Sequence, residues 1–312
     1  MKLLIIEEFA DYYKSRLQEA FPHLEIEAAI DEDSAQQYIQ QAEILVAIKA
    51  SDDLIGKAEN LQWIQSLISG TDFFTKLPSL NKEVLITSSR GIHGPQMAET
   101  TCLLMLALNR DLPANFKNQE RKHWERWPTK LLFQKEVGIL GVGTIGTQLA
   151  RICKTFGMIV HGLTTSGRTI EWVDHPYDSA GLNQLIPRVD YLVNILPANN
   201  DTLKVIGSEQ FSAMKKTAYY ISVGRGDTVD EEALIQALQR GDIAGAGLDV
   251  FAEEPLPADS LLWGMNNVII TPHIGGMSDI YPDQVLPNIK ENMSRYVAGE
   301  RKDLLNFIHW GR

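Results

Sequence analysis

Val137-Gly-Ile-Leu-Gly-Val-Gly-Thr-Ile-Gly146 is the stretch on which the reading of this chain turns. Its first four residues are a short apolar run of the β kind, and Thr147-Gln-Leu-Ala-Arg-Ile-Cys153 beyond it is helical in pattern. Between them stand Gly141, Gly143 and Gly146, each suited to one task in a strand-to-helix joint. Gly141 permits the tight turn, Gly143 lets a ligand approach the backbone, and Gly146 permits close packing of helix on strand. A helix starting at Thr144 and Ile145 presents unpaired N–H groups and the positive end of its dipole to that turn, which suits a pyrophosphate. Glycine is common, so the string alone is weak; its position between strand and helix makes it a dinucleotide-binding turn.

The same alternation extends in both directions. Downstream, β-rich runs at 159–163, 191–195, 218–223, 245–250 and 268–271 join 137–140 as six strands of a doubly wound parallel sheet. Upstream, runs at 3–7, 25–29, 44–48, 63–68 and 84–87 alternate with helical segments 11–20 and 34–41. A long helix from Met97 to Arg110 is expected to close at Asp111-Leu-Pro113. The polar excursion 118–135 holds Trp124 and Trp127, which suit either a second subunit or the chain's own cofactor domain. A last amphipathic helix runs to about residue 296, and the apolar tail 304–308 returns to the first unit. The predicted fold is α/β with two doubly wound parallel-sheet domains: residues 1–94 with 285–312 bind substrate, and 95–284 form the Rossmann domain.

Composition bounds the partners. With 312 residues, 44% hydrophobic and 22% charged, the chain is globular. A net charge of −11 argues against nucleic acid, although an arginine inside a cleft still attracts a small anion. The sparse pair Cys102 and Cys153 lies in apolar helical patterns and reads as buried reduced thiols. The N-terminal apolar run stops after four residues, too short for a signal peptide or a membrane span, so a cytoplasmic protein is expected. No metal is implied.

About 20 residues past the glycine turn, an NAD site normally has an acid for the adenine ribose. Here the strand ends His161-Gly-Leu-Thr-Thr-Ser-Gly-Arg168. The hydroxyls of Thr164, Thr165 and Ser166 together with Arg168 suit a 2′-phosphate, so NADP is preferred and NAD remains usable.

Three residues suggest chemistry. Arg225, in Ser222-Val-Gly-Arg-Gly226, follows a strand, and its fork matches a carboxylate but never gives up a proton. His273, after Pro272, is the natural general acid near neutral pH. Gly275 and Gly276 leave room for a ligand beside it, Gly275 on the cofactor side. A carboxylate on the far ring nitrogen fixes an imidazole's tautomer and orientation. Spacing leaves Glu253 and Glu254 both open for that task.

Met97-Ala-Glu99, the glycine turn, Asn194-Ile-Leu-Pro197, Val223-Gly-Arg-Gly226, Gly247-Leu-Asp-Val-Phe251, Glu254-Pro-Leu-Pro257 and Thr271-Pro-His273 occur in this order. From about Gly94 to Asn306 the chain resembles the D-isomer-specific 2-hydroxyacid dehydrogenases, and in particular their glyoxylate/hydroxypyruvate reductases. The resemblance implies an NAD(P)H-dependent reduction of a small 2-keto acid to the D-hydroxy acid by a homodimer. It selects Glu254 as the partner of His273 and Arg225 as the carboxylate anchor. It also implies substrate-binding amides at Ser69 and Gly70, Asp249 near the nicotinamide, and Pro197 and Val223 along the cofactor. His93, in Gly91-Ile-His-Gly-Pro95, is either a substrate contact or an ordinary loop histidine. The family's formate enzymes carry glutamine at the position of Glu254, which argues against formate oxidation here. The alternative from another class is a non-catalytic dinucleotide-sensing protein on the same fold.

Overall fold

The computed structural model describes residues 1–310. The chain forms two compact units: residues 1–92 with the chain from Ser278 onward, and residues 93–277. Sequence reasoning drew its second border at 284/285. The border lies earlier because the final helix, Tyr281–Val297, packs Val285, Leu286, Ile289 and Met293 into the first unit's core. Tyr281 at its start also donates a hydrogen bond to the Leu67 carbonyl.

The first unit is a five-stranded sheet of β1 (Lys2–Ile6), β2 (Glu25–Ala29), β3 (Ile44–Ala47), β4 (Trp63–Ser66) and β5 (Leu85–Thr87). All of its strand pairs are parallel, in the order β2-β1-β3-β4-β5. Side chains alternate across it. Leu3, Ile5, Ile44, Val46 and Trp63 enter one core, and Leu4, Ile6, Leu45, Ala47 and Ile64 the other. Burial on both faces explains why these strands read as continuous apolar runs. The predicted helix 34–41 is instead a short turn, Glu32–Ala35 behind an Asp31 capping box, followed by a 3-10 turn at Ile39–Gln41.

The second unit has seven strands: β6 (Glu136–Leu140), β7 (Ile159–Leu163), β8 (His175–Tyr177), β9 (Tyr191–Asn194), β10 (Tyr219–Ser222), β11 (Gly245–Leu248) and β12 (Val268–Ile270). They are ordered β12-β11-β10-β9-β6-β7-β8 and are parallel throughout. The sequence reading has six strands. The seventh, β8, was missed because it is a three-residue edge strand containing Pro176, and proline reads as a breaker. The long helix ends at Asn109, just before Asp111-Leu-Pro113 as expected, and Pro113 then sits in the first turn of a further helix, Leu112–Glu120, where the missing N–H costs nothing.

Strand order reverses between β6 and β9, since β7 and β8 lie on one side of β6 and β9 to β12 on the other. The carboxyl ends at such a switch point form the crevice where these sheets bind ligands. The helix Gly94–Asn109 covers this sheet through Leu104 and Met105, in one core with Val137, Ile139, Val193 and Ile221. Gly247 lets it approach, because a Cβ there would stand 2.9 Å from Leu104 Cβ. Cys102 and Cys153 are free and buried in the same core, and burial pushes the Cys102 thiol up to about 11. Among the described residues no helix is long and apolar enough to cross a membrane.

Candidate active site

The glycine turn leaves β6 at the switch point. Gly141 has φ +94°, and a Cβ there would meet the Ile195 carbonyl at 3.2 Å. Its N–H and that of Val142 donate to the Leu163 carbonyl at 3.0 and 3.1 Å. At Gly146 a Cβ would lie 2.8 Å from the Gly141 carbonyl, so the helix Thr144–Thr155 packs as close as glycine allows. Nothing lies within 4 Å of the position a Gly143 Cβ would take. That open backbone and the first N–H groups of Thr144, Ile145 and Gly146, which have no partner within the helix, form a cradle that fits a pyrophosphate.

Pro197 and Val223 follow β9 and β10 at the same strand ends. Buried Asn194 organises both. Its Oδ1 accepts the Leu196 N–H at 3.1 Å, its carbonyl accepts the Val223 N–H, and its Nδ2 donates to Thr228 Oγ1 at 2.8 Å. Thr228 Oγ1 in turn donates to the Arg225 carbonyl at 2.6 Å, so the anchor's backbone is tied to the strand next to the cofactor turn.

The loop after β7 is held more firmly than its glycine suggests. Gly167, with φ +63°, donates its N–H to Thr164 Oγ1 at 3.0 Å, and Ser166 bridges to Asp178. Thr165, Ser166 and Arg168 are exposed. Asp178 lies behind the loop, and its carboxylate accepts the Gly181 N–H at 3.1 Å.

Arg225 stands between two glycines that no other residue could replace without backbone movement. A Cβ at Gly224 would lie 2.7 Å from the Leu196 carbonyl, and one at Gly226 only 1.9 Å from the Phe251 carbonyl. The second approach seats Arg225 against the segment that leads to Glu254. One guanidinium N–H donates to the Gly224 carbonyl at 2.8 Å, and four of its five donors remain for an anion.

His273 and Glu254 meet directly, with Nδ1 to Oε2 at 2.6 Å, while the other Glu254 oxygen accepts the Phe251 N–H at 3.0 Å. Between the neighbours left open by spacing, geometry joins Glu254 to the imidazole. His273 adopts φ +53°, a left-handed conformation that costs free energy in a non-glycine residue and clusters at functional sites. Asp249 stabilises it. This carboxylate, 1% exposed, accepts from Thr271 Oγ1 at 2.5 Å, Ile274 N–H at 3.1 Å and Gly275 N–H at 2.9 Å. These bonds fix the loop that carries His273, next to the end of β11. On the side a Cβ would take, Gly275 meets Asp249 Oδ2 at 2.7 Å and Gly276 meets His93 Cδ2 at 3.3 Å, so on that side both glycines admit close packing by the chain's own side chains.

Ser69 and Gly70 follow β4 in the first unit, where Ser66 Oγ donates to the Gly70 carbonyl at 3.1 Å. Trp124 is 89% exposed, and Trp127 lines a cleft of about 500 Å³ with Asn109, Lys117 and Tyr219. That cleft is at the amino ends of the strands and contains none of the predicted catalytic residues.

Comparison with known proteins agrees with this arrangement. The profile of the D-isomer specific 2-hydroxyacid dehydrogenase NAD-binding domain matches residues 102–275. Glyoxylate/hydroxypyruvate reductase B of Yersinia pestis (strain Pestoides F) is 35% identical over 246 residues, which are 76% of this chain and 75% of that protein. D-3-phosphoglycerate dehydrogenase of Methanocaldococcus jannaschii is 31% identical over 91% of this chain, which spans only 55% of that protein. A crystal structure of a D-isomer specific 2-hydroxyacid dehydrogenase family protein from Aeromonas salmonicida superposes with a TM-score of 0.90 at 35% identity, covering 98% of both chains. An NADPH-dependent glyoxylate/hydroxypyruvate reductase from Sinorhizobium meliloti, in complex with NADP and sulfate, gives 0.83 at 27% identity over 99% of this chain and 98% of that one. A chain with this switch-point cradle, this histidine–glutamate pair and these relatives belongs to the NAD(P)-dependent D-isomer-specific 2-hydroxyacid dehydrogenases.

Proposed function

We propose that this enzyme reduces small 2-keto acids, glyoxylate and hydroxypyruvate first among them, with NADPH as the preferred cofactor. The observation that carries the reading is the 2.6 Å contact between His273 Nδ1 and Glu254 Oε2. Nδ1–H donates to the carboxylate, which leaves Nε2 as the nitrogen that gives a proton to the substrate's carbonyl oxygen. Arg225 pairs with the substrate carboxylate, and the amides of Ser69 and Gly70 belong to the same binding role. The dinucleotide, held by Gly141, Gly143 and Gly146 with Thr144, Ile145, Pro197 and Val223, supplies the hydride. With His273 neutral, the same nitrogen accepts the proton in the oxidative direction. The kinship with reductases named for glyoxylate and hydroxypyruvate supports the substrate choice, and the intact pair speaks against a non-catalytic dinucleotide sensor.

The pair is exposed, 45% for His273 and 35% for Glu254, so it contributes about 0–1 kcal/mol to stability and its value is orientation. Glu254→Gln is therefore expected to lower kcat at least about tenfold while the melting temperature stays within about 4 °C of wild type. A larger kinetic loss in Glu253→Gln than in Glu254→Gln would contradict the assignment.

Thr164, Thr165, Ser166 and Arg168 offer donors to a 2′-phosphate where a ribose-binding acid normally stands. A charge-assisted hydrogen bond contributes roughly 1.5–3 kcal/mol, enough for a preference of about tenfold or more. NADPH is accordingly expected to exceed NADH in kcat/KM by that factor, with the ratio reduced in Arg168→Ala. Equal use of NADH by the wild type removes the proposal; an unchanged ratio in the variant removes Arg168 from it.

We also propose a homodimer. Leu103 on the long helix, and Phe116, Trp124, Leu131 and Phe133 between that helix and β6, are exposed apolar side chains. Light scattering should give twice the chain mass in solution, and a monomeric mass at micromolar concentration would contradict it.

A further inference from the structure

Arg225 carries its side chain on a turn whose other end is a buried threonine. The 3-10 turn Gly226–Thr228 follows Arg225 directly, and the Arg225 carbonyl accepts twice from Thr228, from Oγ1 at 2.6 Å and from the backbone N–H at 3.2 Å. Thr228 is 0% exposed, as is Asn194 at the end of β9. Elementary donor and acceptor rules fix the direction of the bonds between them. A carbonyl only accepts, so the Thr228 hydroxyl proton points at Arg225. The hydroxyl oxygen then accepts from Asn194 Nδ2 at 2.8 Å, and the second Nδ2 proton goes to the Tyr220 hydroxyl at 2.9 Å. Asn194 Oδ1 is thereby turned to the Leu196 N–H. Backbone bonds from the Lys204 N–H to the Asp227 carbonyl at 2.8 Å and from the Ile206 N–H to the Thr228 carbonyl at 3.2 Å hold the turn itself. What the hydroxyl adds is the tie between the Arg225 carbonyl and the strand end that also orders Leu196 and Val223.

We propose that Thr228 is a positioning residue for capture of the keto acid: its hydroxyl sets the pose of the Arg225 guanidinium from the strand end beside the dinucleotide. The inference rests on the reading of Arg225 as the carboxylate anchor. Two parallel bonds to one carboxylate tolerate little rotation of the chain that carries them, because both must form at once. On the far side of the turn a Cβ at Gly226 would fall 1.9 Å from the Phe251 carbonyl, so slack left by the hydroxyl cannot be taken up in that direction. Valine in place of Thr228 keeps the shape of the side chain and removes the link. A buried Asn194 N–H and one lone pair of the Arg225 carbonyl are then left unpaired.

The test uses steady-state kinetics with hydroxypyruvate and NADPH for the wild type, Thr228→Val, Thr228→Ser, Arg225→Lys, and Thr228→Val combined with Arg225→Lys. Thr228→Val should raise KM for hydroxypyruvate and lower kcat, with kcat/KM down by about tenfold, part of the loss of about 10²-fold that a misplaced clamp can cause. KM for NADPH should stay near wild type, since the Leu196 and Val223 bonds to Asn194 do not pass through Thr228. Thr228→Ser restores the hydroxyl and should recover most of the loss. In the Arg225→Lys background the valine should cost almost nothing further, because a residue acting through Arg225 has no fork left to position. Thr228→Cys, a weak donor, takes the place of valine if that variant fails to fold. An unchanged kcat/KM in the valine variant, the same loss in both backgrounds, no recovery with serine, or a loss confined to KM for NADPH overturns the role of Thr228 alone. Arg225→Lys with wild-type kcat/KM overturns the anchor reading, and this inference with it. A wild type that does not reduce hydroxypyruvate or glyoxylate overturns the reductase reading and the inference together.

Discussion

His273→Ala is expected to lower kcat by about 10²- to 10⁴-fold, the range for removing a positioned general acid. The side chain makes no core contact and is 45% exposed, so its loss should leave the fold and the cofactor cradle intact. The cradle is built from Gly141, Gly143, Gly146 and the start of the helix Thr144–Thr155, none of which depends on the imidazole. NADPH binding, measured by fluorescence titration, should therefore remain near wild type while turnover collapses. Wild-type-like turnover in this variant would remove His273 from the reaction.

Arg225→Lys is the second large effect. Charge is kept, but an ammonium cannot reproduce two parallel bonds to a carboxylate. The backbone here is rigid, pinned by Thr228 Oγ1 and by the two glycines, so a lysine cannot recover the geometry by shifting its main chain. KM for the keto acid should rise and kcat should fall together, with kcat/KM lower by about 10²-fold or more, the cost associated with a misplaced clamp. A kcat/KM within about twofold of wild type would leave Arg225 with a structural role only.

Much of this molecule was legible in its sequence because backbone demands restrict residue choice. Gly141, with φ +94°, and Gly146, against the Gly141 carbonyl, announce the turn, and strands buried on both faces announce themselves as apolar runs. Other features depend on tertiary packing that sequence spacing does not encode. Spacing leaves Glu253 and Glu254 equivalent; the resemblance selects Glu254, and the fold turns it to His273. Sequence does not reveal that Asp249 and His93 occupy the side of Gly275 and Gly276 that a Cβ would take. The resemblance places Asp249 near the nicotinamide, and sequence spacing gives no sign of its three donors, Thr271, Ile274 and Gly275 on the neighbouring loop. His161 gave no signal at all. It is buried in β7 against Glu136 at 2.6 Å, and burial lowers its pKa while the glutamate opposes that shift. Its partner lies on an adjacent strand, 25 residues away, where no local motif connects them.

In the proposed reaction Arg225, Glu254 and His273 serve reduction of a 2-keto acid on one face of the carbonyl. The most direct measurement is incubation of the purified enzyme with hydroxypyruvate and NADPH, following NADPH loss by absorbance and resolving the product by chiral chromatography. Stoichiometric conversion to D-glycerate is expected of the wild type and almost none of His273→Ala. No NADPH or NADH consumption with hydroxypyruvate or glyoxylate, or a product that is L-glycerate, would contradict it.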